Sequence, residues 1–202
     1  MARYTGPKHR LARREGSNIL EKVSASLARR LNVPPGVHGP KGKSRKSSDY
    51  SNQLREKQKA KRAYGLMEKQ FRSYYQKAAQ IKGKTGEALF QLLERRLDNA
   101  LYRLGFVPSR NMGRQLVSHG HVLVNGKTVN IPSYCLKIDE VITLSPKALN
   151  MPSVKKALEA QENINIPYFE KKAAAGRLTH IPLREEIPTE ANEQLIIEYY
   201  SR

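Results

Sequence analysis

Tryptophan is absent from this chain and cysteine occurs once, at Cys135. A lone cysteine excludes an intrachain disulfide and any zinc site built on paired cysteines. Cys135 reads as a small buried apolar residue rather than a reactive thiol. Long apolar runs are missing too. None approaches the ~20 residues that a membrane helix needs, and the first residues lack the apolar segment of a signal peptide. The chain is therefore expected to be soluble and intracellular. Acidic residues are scarce beside basic ones, 18 against 37, which gives a net charge of +19. So much like charge repels itself in a compact state and calls for an anionic partner. Nucleic acid is the first candidate. An anionic membrane surface is the alternative, but no amphipathic anchor is present and Met1-Ala2 is not the Met-Gly of myristoylation. Catalytic signatures are absent: no GxxxxGK[ST], GxGxxG or HExxH occurs, and His38, His119, His121 and His180 stand without a partner nucleophile. The reading is a non-enzyme without cofactor or metal.

What is present is unevenly placed. Residues 1–84 carry a net +17, residues 85–149 +3 and residues 150–202 −1. Residues 1–45 are rich in Arg, Lys, Gly and Pro, with prolines at 34, 35 and 40 that forbid a long helix. An extended basic arm is expected there, with room for one short helix, ordering on an RNA surface. SNQLREKQKAKRA, residues 51–63, predicts a helix that is polar nearly all round, with Arg55, Lys57, Lys59, Lys61 and Arg62 directed at phosphates. Residues 66–81 predict a second helix with Leu66, Phe71, Tyr74, Tyr75 and Ala78 on one face.

From Thr85 the sequence TGEALFQLLERRLDNALYRLG places leucines at threes and fours, which predicts one continuous helix. Arg95 and Arg96 within it face solvent or RNA. Next comes the stretch SRNMGRQLVSHGHVLVNGKTVNI from Ser109. Ser109 is a helix cap, Gly120 a helix stop, and Asn125-Gly126 the commonest two-residue hairpin turn. Leu116 and Val117 give this short helix its apolar stripe. Arg110 and Arg114, four apart, are expected on the opposite, solvated side with both guanidinium groups outward. His119 and His121 beside the glycine touch RNA or pack. Val141–Leu144 predicts a further strand; if the turn at Asp139-Glu140 before it needs positive φ, Asp139 must adopt it, at some cost. A short helix from Ser153 and a strand pair around Tyr168 and Leu178 follow. The closing NEQLIIEYYSR fits both a strand alternation and a helical stripe.

The pattern SR…RQLV.HGH..VNG…IPSY resembles the RNA-binding module named after small-subunit ribosomal protein S-four. MARYTGPKHRLARREG, DYSNQLREKQKAKRAYG, LLERRLDNALYRLGF and NEQLIIEYYSR extend that resemblance to the ribosomal family itself, from first residue to last. The resemblance implies an α+β fold. A basic arm (1–45) precedes a helical domain (46–90, completed by 185–202) into which an RNA-binding module (91–184, core about 92–150) of two helices on a small antiparallel sheet is inserted. It selects a helix for the closing stretch, packed on the helices of residues 50–82.

The same resemblance implies a structural constituent of the small ribosomal subunit. Its partners would be the 5′ domain of small-subunit ribosomal RNA, where it nucleates assembly, neighbouring ribosomal proteins, and messenger RNA at the entry channel, with an effect on accuracy. The absence of a transit-like extension favours a bacterial cytoplasm, or synthesis within an organelle. The RNA-binding residues implied are Arg3, Tyr4, Lys8, Arg10, Arg13 and Arg14 in the arm, Arg55, Lys57, Lys59 and Arg62 on the polar helix, and Ser109, Arg110, Arg114, Gln115, His119, Asn125 and Lys127 in the module. Some relatives hold zinc through four N-terminal cysteines. This chain has His9 and Ala12 in that region and no cysteine there, so the metal is not carried over. An RNA-modifying enzyme using the module as an accessory is the competing reading, but no unassigned stretch is long enough for a catalytic domain.

Overall fold

The computed structural model describes residues 4–20, 24–37, 39, 48–159 and 166–202; Arg3 and His38 lie outside them. The chain is α+β and divides into two compact units, Met1–Gln76 with Thr189–Arg202, and Lys77–Pro188.

In the first unit, α1 (Lys8–Glu15) ends at Gly16, which adopts a left-handed φ of 67°, and α2 (Ala25–Arg30) follows. Where an extended arm was expected, Ala12, Ile19 and Leu27 form a small buried cluster flanked by Leu11, Leu20, Leu31 and Ala63. These apolar residues are too few to fold alone. They fold by docking on α3 (Asp49–Ala63), which supplies Ala63. The proline-rich turn is tied back by Arg13, whose Nε and Nη2 donate to the carbonyls of Val33 (2.9 Å) and Pro34 (3.1 Å).

Helix α3 starts at Ser48, whose side chain accepts from the Ser51 N–H. It is not polar all round in effect, because Gln53, Lys57 and Ala60, at helical spacing, are buried. What helps cover α3 is α10 (Glu193–Ser201), capped by the Asn192 side chain; the closing stretch is a helix packed on α3. Ile196 is fully buried, and the Tyr200 ring stacks on Tyr75 at 4.7 Å and Phe71 at 6.2 Å. Phe71 and Tyr75 belong to α4 (Glu68–Gln80).

The second unit contains α5 (Thr85–Glu94), α6 (Leu97–Arg103), α7 (Arg110–Ser118) and the strands β1 (Val122–Val124), β2 (Lys127–Thr128) and β3 (Val141–Leu144). The short helices α8 (Pro146–Leu149) and α9 (Pro152–Glu159) come next, then β4 (Phe169–Lys172), β5 (Ala175–Leu178) and a 3-10 turn, Arg184–Glu186. The strands form one antiparallel sheet in the order β2-β1-β3-β5-β4, with Val124 opposite Ile142 and Ile142 opposite Gly176. Strand alternation turns Val122, Val124, Ile142, Leu144 and Leu178 into a core shared with Leu97, Leu101, Phe106, Leu116 and Val117. Gly176 leaves room for Leu104: a Cβ there would come 2.4 Å from Leu104 Cδ1, so that side chain would have to shift.

The expected long leucine helix is two helices. The chain breaks at Arg95 and Arg96, where Arg96 is extended (φ −67°, ψ 136°) and bridges to Cys135. The segment after the hairpin satisfies the broken end: Leu97 N–H donates to the Tyr134 carbonyl (2.9 Å), Asp98 N–H to Pro132 (3.2 Å), and Leu136 N–H to Arg95 (2.9 Å). The break therefore leaves no orphaned backbone groups at these positions. The Asn125-Gly126 turn is as expected, and the turn at Asp139-Glu140 does need positive φ at its first residue. Asn125 (φ 48°) and Gly126 (φ 78°) are left-handed, and Asp139 (φ 64°) takes the strained position while its N–H donates to the Leu178 carbonyl.

Candidate nucleic-acid interface

Helix α7 is capped as expected, with Ser109 Oγ accepting from the Met112 N–H. Its arginines do not both face outward. Arg114 is 6% exposed and donates from Nε (2.9 Å) and Nη2 (2.8 Å) to Asp98 Oδ2. Arg96, also buried, donates to both oxygens of the same carboxylate, at 3.0 and 2.8 Å. Arg114 is thus a structural ion pair rather than an exposed phosphate contact. The reason lies in α6: it packs along α7 and presents Asp98, while Gly113 lets the two backbones meet, since a Cβ there would lie 2.6 Å from the Asp98 carbonyl oxygen.

Arg110 is half-buried. Its Nε donates to Asn99 Oδ1 at 2.7 Å and its guanidinium lies 4.4 Å over the Tyr102 ring. Behind Asn99 stands Glu94, fully buried, which accepts from Arg103 (2.9 and 3.0 Å), Asn99 Nδ2 (2.6 Å) and the Tyr168 hydroxyl (3.0 Å). Burial and the Glu94 charge push the Tyr168 hydroxyl pKa above its ordinary range, so it stays a donor. Two buried carboxylates thereby pair with three arginines, Glu94 with Arg103 and Asp98 with both Arg96 and Arg114, and lock α5, α6 and α7 together with one positive charge in excess.

The rest of the module's expected contacts are at least partly open to solvent. Gln115, His119, Asn125 and Lys127 are exposed and Ser109 half-buried. The end of α7 abuts β2, where a Cβ built on Gly120 would be 3.6 Å from Thr128 Cγ2. The hairpin is tied to the helix by the His121 N–H, which donates to the Leu116 carbonyl (3.0 Å), and by the core that Leu116 and Val117 share with Val122 and Val124. The His119 and His121 rings are 6.3 Å apart, and His121 Nδ1 lies 3.4 Å from Ser145 Oγ.

In the first unit Tyr4, Arg10 and Arg14 are exposed and Lys8 and Arg13 half-buried. The cations of α3 are largely engaged. Glu15, whose side chain is fully buried, accepts from Arg55 (3.3 Å) and Arg62. Burial raises its carboxyl pKa by more than Arg62, Arg55 and their neighbours lower it. Lys59 pairs with Glu56 at 2.8 Å. Lys57 is 2% exposed, donates to Glu68 Oε2 at 2.9 Å and lies 4.5 Å over the Tyr199 ring, so it braces α3 and is not an outward phosphate contact.

Two cations were missed from sequence. Lys69 and Arg72, three apart on α4, are exposed with no acid at ion-pair distance among the described residues. Both lie off the Phe71 face of α4, and in the charge pattern the more basic α3 before it masks them. No group of three or more His, Cys, Asp or Glu among the described residues could hold a metal ion.

A family model described as the ribosomal protein S4/S9 N-terminal domain matches residues 3–94, and one described as the S4 domain matches residues 95–142. Proteins called small ribosomal subunit protein uS4 from Parabacteroides distasonis, Trichlorobacter lovleyi and Brevibacillus brevis are each 49% identical to this chain, with 100% of both sequences covered.

Proposed function

Because the chain belongs to the uS4 family of small ribosomal subunit proteins, a family of structural rather than catalytic proteins, we propose that it binds the 5′ domain of small-subunit ribosomal RNA and nucleates assembly there. The coarser role is that of an RNA-binding structural constituent of the small subunit. The observation that carries the finer reading is the division of labour in the module. Buried carboxylates Glu94 and Asp98 absorb three arginines into a rigid frame, and Gln115, His119, Asn125 and Lys127 remain exposed.

Phosphate contacts by exposed cations release counterions and supply affinity. Side chains cannot read the deep A-form major groove, so selectivity rests on the shape of a folded junction, its sugar hydroxyls and unstacked bases. A preformed helix and hairpin suits that task. On this reading residues 1–45 form the grip, 46–90 with 185–202 the helical part and 91–184 the inserted module. Neighbouring ribosomal proteins and the messenger at its entry channel are further partners, and the ribosome of a bacterial cytoplasm is the site of action.

The test is binding of the full chain to a 5′-domain RNA against a scrambled RNA of the same length. Preference for the former that persists as salt rises supports the reading. Equal affinities that collapse together overturn it.

A further inference from the structure

We infer that Asn99 is a positioning residue for the RNA contact of Arg110, which it aims without touching RNA itself; the inference rests on the proposed role of Arg110. The Asn99 amide has one permitted orientation. Its Nδ2 donates to the Glu94 carbonyl (3.1 Å) and to Glu94 Oε2 (2.6 Å), both of which are acceptors only. Oδ1 is therefore turned toward Arg110, whose Nε donates to it at 2.7 Å.

Glu94 is fixed in turn by the two-pronged donation of Arg103 and by the Tyr168 hydroxyl. The Tyr102 ring, whose centroid is 4.4 Å from the guanidinium carbon, holds the group from a second side by cation–π attraction. A long side chain that would otherwise lose rotamer freedom on binding is thus ordered in advance. Buried ionic groups seldom gain net stability over apolar ones of similar size. The use of this network is direction, and Asn99 is the link between its buried end and the half-buried Arg110.

The test is a double-mutant cycle on the full chain binding 5′-domain RNA at fixed salt, with urea unfolding as a control on each variant. Arg110→Ala should raise Kd about tenfold and Asn99→Ala about fivefold. In an Arg110→Ala background Asn99→Ala should then add nothing. In an Arg110→Lys background, which keeps the charge but has no Nε–H to aim, it should also add little. Asn99→Ser, which keeps a polar group at the position, takes its place in the cycle if the alanine variant does not fold. Wild-type affinity for the Asn99 variant, or an equal loss in every background, overturns the inference while leaving Arg110 as a contact. Unchanged affinity for Arg110→Ala overturns the reading on which it rests.

Discussion

The Asp98 carboxylate accepts both nitrogens of the Arg114 fork, at 2.9 and 2.8 Å, with 2% and 6% of the two residues exposed. An ion pair this far from water stabilises little relative to an apolar pair, yet removal of one member is costly because the other stays charged and buried. Arg114→Ala should therefore lower stability by about 3 kcal/mol in urea unfolding, eased somewhat because Arg96 still serves Asp98. Arg114→Lys should restore only part, since an ammonium does not reproduce the planar fork. The salt dependence of RNA binding by the folded fraction should stay as in wild type; a flatter dependence would return Arg114 to the RNA surface.

Gly113 adjoins the same contact. Alanine is the better helix former by about 1 kcal/mol. Its Cβ, however, would stand 2.6 Å from the Asp98 carbonyl oxygen, a backbone atom that cannot swing aside. Gly113→Ala should thus destabilise by about 1–3 kcal/mol, the range for overpacking. Equal or greater stability would mean that α6 and α7 are less tightly apposed than the structure has them.

In the first unit, Glu68 is partly exposed. Burial alone would raise its pKa, but hydrogen bonds from Lys61, Lys57 and Tyr200 outweigh it and hold the carboxyl at about 2. A folded pKa below the unfolded one gives stability that is present above the unfolded value, near 4.5, and is lost as pH falls toward about 2. Lys57→Met removes one donor while keeping much of the stem, so Glu68 should titrate closer to 4.5, as followed by carbon chemical shifts. Titration unchanged from wild type would place the Lys57 ammonium away from Glu68.

How much of this was legible in sequence follows from range. Ser109 as a cap and Asn125-Gly126 as a hairpin turn are decided within a few residues, and both were read correctly; positive φ at Asp139 followed only on the condition that its turn needs it. The break at Arg95-Arg96 was not. Leu89, Leu93, Leu97 and Leu101 keep helical spacing through it and all are fully buried, so periodicity is blind to carbonyls that arrive from Pro132 and Tyr134.

The fates of Arg114 and Lys57 were misread for a related reason. Each looked like a surface cation by pattern, and each is claimed by an acid that another helix brings up, Asp98 from α6 and Glu68 from α4. Charge counting identified the partner class. It could not sort phosphate contacts from internal ion pairs, and the arm was misread similarly because its few apolar residues are completed by Ala63 of α3.

Lys127 and His119 stand exposed beyond the frame that the buried arginines hold. Lys127→Ala with His119→Ala removes exposed side chains and, of packing, only the His119–His121 ring contact, so stability should change by less than about 0.5 kcal/mol for each.

The most direct test of the account is the dependence of 5′-domain RNA affinity on salt for this double variant beside wild type. The account predicts weaker binding and a slope of log K against log salt shallower by about 0.7–0.9, one phosphate contact, with preference over scrambled RNA retained. An affinity and slope identical to wild type would contradict it, and would move the RNA contact away from the edge of α7 and its hairpin.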